Sequence, residues 1–409
     1  MGLDLTIKIS KKKLFLHIIS LVVIFLYLPP LIISVDPARD FTDKVIRICA
    51  GIISVTQIIL YLSNLRNIKK TYPIIIGLLF GIIEYSNMKN GYSFERTASF
   101  VIDSLNIIGL TCLLVNINKY NRLNDFLDCF VVYSSAISIS NLFTQIFNYG
   151  TGLYHNFKIS WQPYYLCGNA NAFVFFYTVT LAILYAQAEK SGRYNLRLYG
   201  YFINICMIYS AILGHTTTGT VCALLFLILN ILSDTKIIEI IIKHSFLIFI
   251  VFALIVVWFI ALRGWNEEFV KTCVEKLVHE RRNLLTRGEI WDFSMKLIKK
   301  KPQLGYGSMN SQLSFSKTAG IRRSAHNTYL QITLYGGFMA LAVYLVLISI
   351  SICKIAYCNA KGKKQYILAF FIFLLSYVFE QNPFYIGFYM LLALMYLEAE
   401  GFKYGLGEN

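Results

Sequence analysis

Charge is scarce in this chain. Of its 409 residues only 15% are Asp, Glu, Lys or Arg, while 56% are hydrophobic and the mean hydropathy is +0.58. A soluble domain carries about 25% charged residues, so a water-covered globular surface is excluded. Proline is also scarce, at seven residues, and 25 glycines are too few for a low-complexity segment. No short-period repeat is present, which excludes solenoids and propellers. No C-x-x-C occurs among the nine cysteines. Cys49, Cys112, Cys206, Cys222 and Cys353 lie in apolar blocks, and only Cys273 lies clearly in a polar loop. That distribution argues against a disulfide framework or a zinc site.

What is abundant is apolar sequence in blocks of membrane-spanning length. Blocks lie near 14–35, 44–63, 72–88, 97–117, 125–148, 166–187, 198–213, 217–233, 244–263, 328–353, 364–380 and 383–399. The expected fold is an all-α polytopic membrane protein of about 12 transmembrane helices. Residues 1–263 would hold the first nine spans, 264–326 one long extracytoplasmic loop, and 327–409 the last three spans and a tail. Lys8, Lys11, Lys12 and Lys13 precede the first block without a small-residue cleavage site after it, so it reads as a retained span.

The formal charge of +16 would suggest nucleic acid in a soluble protein. Here the basic residues sit between apolar blocks, so topology explains most of them and no nucleic-acid partner is expected. Alternate short loops carry Arg66, Lys69 and Lys70; Lys119 and Arg122; Lys190, Arg193 and Arg197; Lys236 and Lys243; and Lys354, Lys361, Lys363 and Lys364. The opposite loops carry fewer. This bias places both termini in the cytoplasm of a multi-pass protein of the inner or plasma membrane, and the 264–326 segment outside.

The long loop has twelve basic against six acidic residues. Two stretches have helical amphipathic spacing: Phe269, Val270, Cys273, Val274 and Leu277, then Ile290, Phe293 and Leu297 with Trp291 beside them. Both are expected to lie on the membrane surface, apolar side down. The charges read either as a solvated face or as an anion site, for which arginine's planar fork is suited.

Four pieces follow in order: Arg287-Gly288-Glu289-Ile290-Trp291; Lys301-Pro302-Gln303-Leu304-Gly305-Tyr306-Gly307; Arg322-Arg323-Ser324-Ala325-His326-Asn327-Thr328-Tyr329-Leu330; and Leu334-Tyr335-Gly336-Gly337-Phe338. Pro302, Gly305 and Gly307 read as a turn ending a helix. His326 sits where the chain re-enters the apolar phase, and a neutral imidazole there can accept a proton near pH 7. Arg47, Glu84 and Asp103 fall inside apolar blocks, toward the outer ends. Such residues are functional candidates, or they snorkel or pair with each other.

These pieces resemble the O-antigen ligase and polymerase superfamily of bacterial polysaccharide assembly. The resemblance is carried by an arginine before a tryptophan, a P-x-L-G-x-G turn, and A-H-N-x-Y-L leading into a span with paired glycines. Gly168-Asn169-Ala170-Asn171 before the sixth span adds to it. One departure stands out. Many members carry a basic pair at the outer start of the eighth span, where this chain reads Gly214-His215-Thr216-Thr217-Thr218-Gly219-Thr220.

The resemblance implies a GT-C-like glycosyltransferase. It would move a glycan from a polyprenyl-diphosphate-linked oligosaccharide to an acceptor hydroxyl outside the cytoplasm, with no cofactor and no metal. The chain has no D-x-D and its long loop no carboxylate–histidine cluster. Arg287, Arg322, Arg323 and Arg47 are the expected diphosphate contacts, since fixed cations stabilise a departing anion. His326 is the expected base and Arg287 its catalytic companion. Asn327, Tyr329, Trp291, Tyr306, Asn171 and His215 would position substrate. Trp291 and Tyr306 read alternatively as interfacial anchors, and His326 as a cap of its span. The isoleucine- and lysine-rich, alanine-poor composition suggests an AT-rich genome and favours a polymerase of capsular or exopolysaccharide repeat units. A ligase moving finished polysaccharide to a lipid or protein acceptor and a lipid-linked oligosaccharide flippase are the alternatives. Membrane lipid, a chain-length regulator and a flippase are the implied partners.

Overall fold

The computed structural model describes residues 11–64, 71–155, 163–169, 172–278, 281–309 and 324–404. The helices, in chain order, are α1 (Lys11–Tyr27), α2 (Ile32–Val35), α3 (Asp40–Ser63), α4 (Tyr72–Lys89), α5 (Phe94–Lys119), α6 (Leu123–Phe147), α7 (Ala172–Ser191), α8 (Tyr194–Leu213) and α9 (Thr217–Ile231). There follow α10 (Lys236–Lys243), α11 (Ser245–Ala261), α12 (Glu268–Val278), α13 (Arg281–Lys300), α14 (Thr328–Ala356), α15 (Lys363–Phe379) and α16 (Ile386–Tyr404). Among the described residues there is no strand, only the bridges Tyr154–Tyr164 and Tyr165–Gly168.

Each expected apolar block coincides with a helix. Among the described residues six helices are long and apolar enough to cross a membrane alone: α3, α5, α6, α7, α8 and α14. The helices α9 and α10 meet that test only together and are bent by 110°. Two boundaries differ from expectation. The first helix ends at Tyr27, because Pro29 and Pro30 cannot continue a helical ladder. The sixth block begins helical at Ala172, because residues 164–168 spend their amides on the two bridges.

α7 is buried on almost every side and packs against α8, α15 and α6. α11, apolar all round, instead exposes Leu247, Leu254 and Val257, as a lipid-facing helix must. α3 and α5 approach closely because Gly109 lies against Ser54, whose hydroxyl donates to Asn106 Oδ1 at 3.1 Å. At one end of the bundle Lys190 pairs with Glu398 at 2.6 Å, and Asp234 takes Arg197 at 3.0 Å and Lys364 at 3.1 Å. Basic residues that the charge bias assigns to one side therefore meet at one end.

The turn after α13 fixes the opposite end. α14 is interrupted at Gly337, with φ 66° and ψ −167°. Into this break docks Pro302–Gly307. Tyr306 N and Gly307 N donate to the carbonyls of Leu334 and Tyr335 at 2.8 and 2.9 Å, and Phe338 N and Met339 N donate to Pro302 and Gln303 at 2.7 and 3.3 Å. A Cβ on Gly337 would lie 2.0 Å from Gln303 O, and one on Gly305, which has φ +65°, 2.4 Å from Leu334 O. The P-x-L-G-x-G and Gly-Gly motifs are thus two halves of one joint. Asn87 of α4 holds it from the side, accepting from Ser308 N at 2.8 Å and donating to Glu84 at 2.8 Å. Glu84 also accepts from Thr97 at 2.7 Å, so this intramembrane acid anchors the joint.

Gly305→Ala is expected to lower the protein's melting temperature in detergent, with a cost of about 1–3 kcal/mol from the forced backbone alone. Gly91→Ala, at φ +79° but with open space around it, should cost less. Equal shifts in the two variants would show that the joint is not tightly packed.

Candidate functional site

α13 carries Arg287 to the last turn of α15. Gly288 lets α13 lie close against Trp265, since a Cβ there would meet the Trp265 ring at 2.3 Å. On the same helix Trp291 and Ile298 are buried in one cluster with Ile260, Leu330 and Leu334, and Ile290 is buried as well. The apolar side of α13 therefore packs on protein, which corrects the expectation that it lies on lipid. Trp291 is fully buried, with the Phe259 ring edge-on at 5.5 Å. It offers no face to a sugar and no interfacial anchor. Tyr306 is likewise buried, its hydroxyl donating to Leu297 O at 3.0 Å. Burial holds its phenol above the ordinary range.

The site gathers on three residues, Val378–Glu380, at the end of α15. Arg287 Nη1 donates to Phe379 O at 2.7 Å, and Nη2 meets Glu380 Oε1 at 3.1 Å. Asn327 Nδ2 donates to Val378 O at 2.8 Å, and Thr328 Oγ1 to Glu380 O at 2.9 Å. Asn382 N closes the arrangement onto Thr328 Oγ1 at 3.1 Å. The arginine of α13 and the start of α14 thus converge on one short segment. Glu380 is 8% exposed, and its pair with Arg287 is largely out of water.

Asn327 is the N-cap of α14, its Oδ1 accepting from Leu330 N at 2.9 Å. Both ends of its amide are engaged in the fold, and the role expected of it, orienting a sugar hydroxyl, would require those bonds to open. His326 precedes the cap with φ +45° and is half-buried. Non-glycine residues rarely hold that conformation, and where they do the strain collects at functional sites. His215 is built the same way, with φ +49° just before Thr216, the N-cap of α9. Its Nε2 lies 2.9 Å from the Tyr149 hydroxyl. Tyr329 is turned inward, its hydroxyl 3.4 Å from Leu374 O.

Arg47 is placed elsewhere. Its guanidinium is held by Asp43 at 2.8 Å and Asp103 at 3.0 Å, with Ser99 at 3.2 Å, so it pairs across α3 and α5. A diphosphate would have to displace two carboxylates to reach it. Asn171, Arg322 and Arg323 lie outside the described residues.

Around Glu380 the side chains of Val174, Phe175, Thr218 and Ser376 and the backbone of Gly219 form a narrow cleft with no room for a water. The first turn of α9, where family members carry a basic pair, thus faces the same carboxylate that holds Arg287.

Residues 202–345, about a third of the chain, match a family model described as O-antigen ligase. This region belongs to the O-antigen ligase and polymerase superfamily. It runs from α8 into α14 and includes Arg287 and His326. By the length and composition of its helices the chain is a polytopic membrane protein, and the match covers its segment from α8 into α14. No curated protein and no solved structure matches the chain.

Glu380 escaped the sequence reading. Its only signal is one acid closing an apolar block, which reads as an ordinary helix end, although an ionisable residue at that depth is a functional candidate.

Asn327→Ala is expected to lose the cap and the Val378 bond together, destabilising the protein by about 1–3 kcal/mol. Asn327→Asp, which keeps the cap, should recover part of that loss in thermal unfolding. If the two variants melt alike, the cap contributes nothing.

Proposed function

We propose that the protein is a polymerase of polyprenyl-diphosphate-linked oligosaccharide repeat units, acting in capsular or exopolysaccharide synthesis at the outer face of the inner membrane. The observation that carries this is the convergence of Arg287 and the His326–Thr328 segment on Val378–Glu380, within or beside the family-matched region. The twelve helices would cross the bilayer with both termini cytoplasmic, which puts this end of the bundle outside.

In the proposed reaction an acceptor hydroxyl oxygen bonds to the anomeric carbon of the donor's reducing-end sugar. The bond from that carbon to the phosphate oxygen breaks, and polyprenyl diphosphate leaves with the electron pair. Arg287, helped by Arg322 and Arg323, stabilises that leaving anion in a low-dielectric setting, where fixed cations act most strongly. His326 takes the hydroxyl proton. No metal is required in this scheme, because guanidinium groups take the charge a metal would otherwise hold. The donor diphosphate meets Arg287 by sharing the guanidinium with Glu380, whose full displacement would leave a buried carboxylate unpaired. A chain-length regulator and a flippase are the partners this role implies.

A second reading, transfer of finished polysaccharide to a lipid or protein acceptor, is equally compatible with the match to the O-antigen ligase model. The two share the donor half of the reaction and differ in acceptor.

His326→Ala is expected to abolish the polysaccharide ladder while the protein remains in the membrane, and Arg287→Lys to reduce it severely because a point charge cannot replace a bidentate fork. Gels of surface polysaccharide from the mutant strains check both; normal ladders would remove these residues from the mechanism. Single repeats trapped on the cytoplasmic side would instead identify a flippase.

A further inference from the structure

The bend of 110° between α9 and α10 turns α10 slightly past perpendicular to α9. A helix so turned runs along the membrane surface when its neighbour crosses the membrane. The eight residues of α10 divide into three stripes at helical spacing. Ile238 and Ile242 are buried in the core of the bundle. Ile237 and Ile240 form the next stripe and are 66% and 59% exposed. Lys236, Glu239 and Lys243 form the third and are exposed as well. Water suits the third stripe and lipid the second, so the helix belongs at the boundary between them. Length agrees. α9 has 15 residues and rises about 22 Å, short of the roughly 30 Å of hydrocarbon. Its last turn then ends about 8 Å inside the leaflet, within the 5–10 Å to which interfacial helices sink their apolar side.

We infer that α10 is an interfacial anchor that holds anionic phospholipid, with Ile237 and Ile240 among the acyl chains and Lys236 and Lys243 on the headgroup phosphates. The apolar stripe continues past the helix into Ile231 and Leu232 before it and Leu247 of the lipid-facing α11 after it, all exposed. The charge favours an anion. Two lysines about 10 Å apart along the axis straddle a single acid, Glu239. The acid just before the helix, Asp234, is already taken by Arg197 at 3.0 Å and Lys364 at 3.1 Å, so it does not repel a phosphate. The ammonium or choline group of a zwitterionic lipid would meet these lysines as a like charge. Lys364 stands at the other end of α15 from Phe379 and Glu380. The anchor is therefore remote from the Arg287 site and stands apart from the glycosyl-transfer reading.

The test places the full-length protein in nanodiscs of phosphatidylcholine, with or without phosphatidylglycerol. Amide hydrogen exchange across 236–243 should be several-fold slower in the anionic discs. Lys236→Gln combined with Lys243→Gln should erase that difference while the melting temperature holds, because both side chains are exposed. In native mass spectrometry from mixed micelles the wild type should keep phosphatidylglycerol over phosphatidylcholine. The double variant should keep about tenfold less or lower still, since each lysine near an anionic surface is worth about fivefold. Ile240→Ser should speed exchange in both kinds of disc; an unchanged rate there overturns the placement of this stripe in lipid. Equal wild-type exchange in the two compositions overturns the preference for anionic lipid. Glycerol phosphate that protects 236–243 equally well in phosphatidylcholine discs overturns the proposal in favour of a soluble anion site. Protection that appears only with two protein copies per disc overturns it in favour of a second copy of this chain.

Discussion

Four backbone hydrogen bonds join the Pro302–Gly307 turn to the break in α14, and the geometry of the site hangs on them. A helix interrupted in an apolar phase leaves amides and carbonyls that cost several kcal/mol each if unpaired. Here the turn supplies those partners, and the break supplies partners for the turn. The exchange requires backbones in contact, which is why glycine stands at 305 and 337. It also fixes where α13 ends relative to where α14 begins. The offset between Arg287, on the first, and His326, before the second, is thereby set by backbone and not by side-chain chance.

The same constraint explains the polar residues around Val378–Glu380. The chain leaves α15 there without a further helical turn, so its carbonyls need donors. Arg287, Asn327 and Thr328 each provide one. Three elements distant in sequence are thus tied by the need to satisfy one helix end. Removing one partner of the Arg287–Glu380 pair would strand a mostly buried charge, at a cost of about 3–5 kcal/mol for full burial and less here, where the arginine is 25% exposed.

Much of this was legible in the sequence, for physical reasons that also mark where legibility stopped. Apolar blocks of spanning length coincided with the long apolar helices, because burial of backbone in lipid leaves no alternative, whereas the 20-residue α13 showed only as amphipathic spacing. Their ends were misjudged where Pro29 and Pro30 or the 164–168 bridges intervened, since hydropathy does not register how amides are paired. Arg287 and His326 stood out through motif order. Glu380 did not, because its meaning comes from a partner 93 residues away. Trp291 was placed at an interface because periodicity reveals an apolar face without revealing what covers it. In a membrane protein lipid and protein are equally apolar covers.

Arg47 and Arg287 show how the same residue type divides into scaffold and site. Both are paired with acids. Arg47 faces two carboxylates, Asp43 and Asp103, so the cluster is net negative and repels an incoming diphosphate. Arg287 faces one, and its other nitrogen spends itself on a neutral carbonyl. An incoming anion there competes with a single carboxylate, and a guanidinium already held by Phe379 O needs no reorganisation to act on a charge that appears only as the bond breaks.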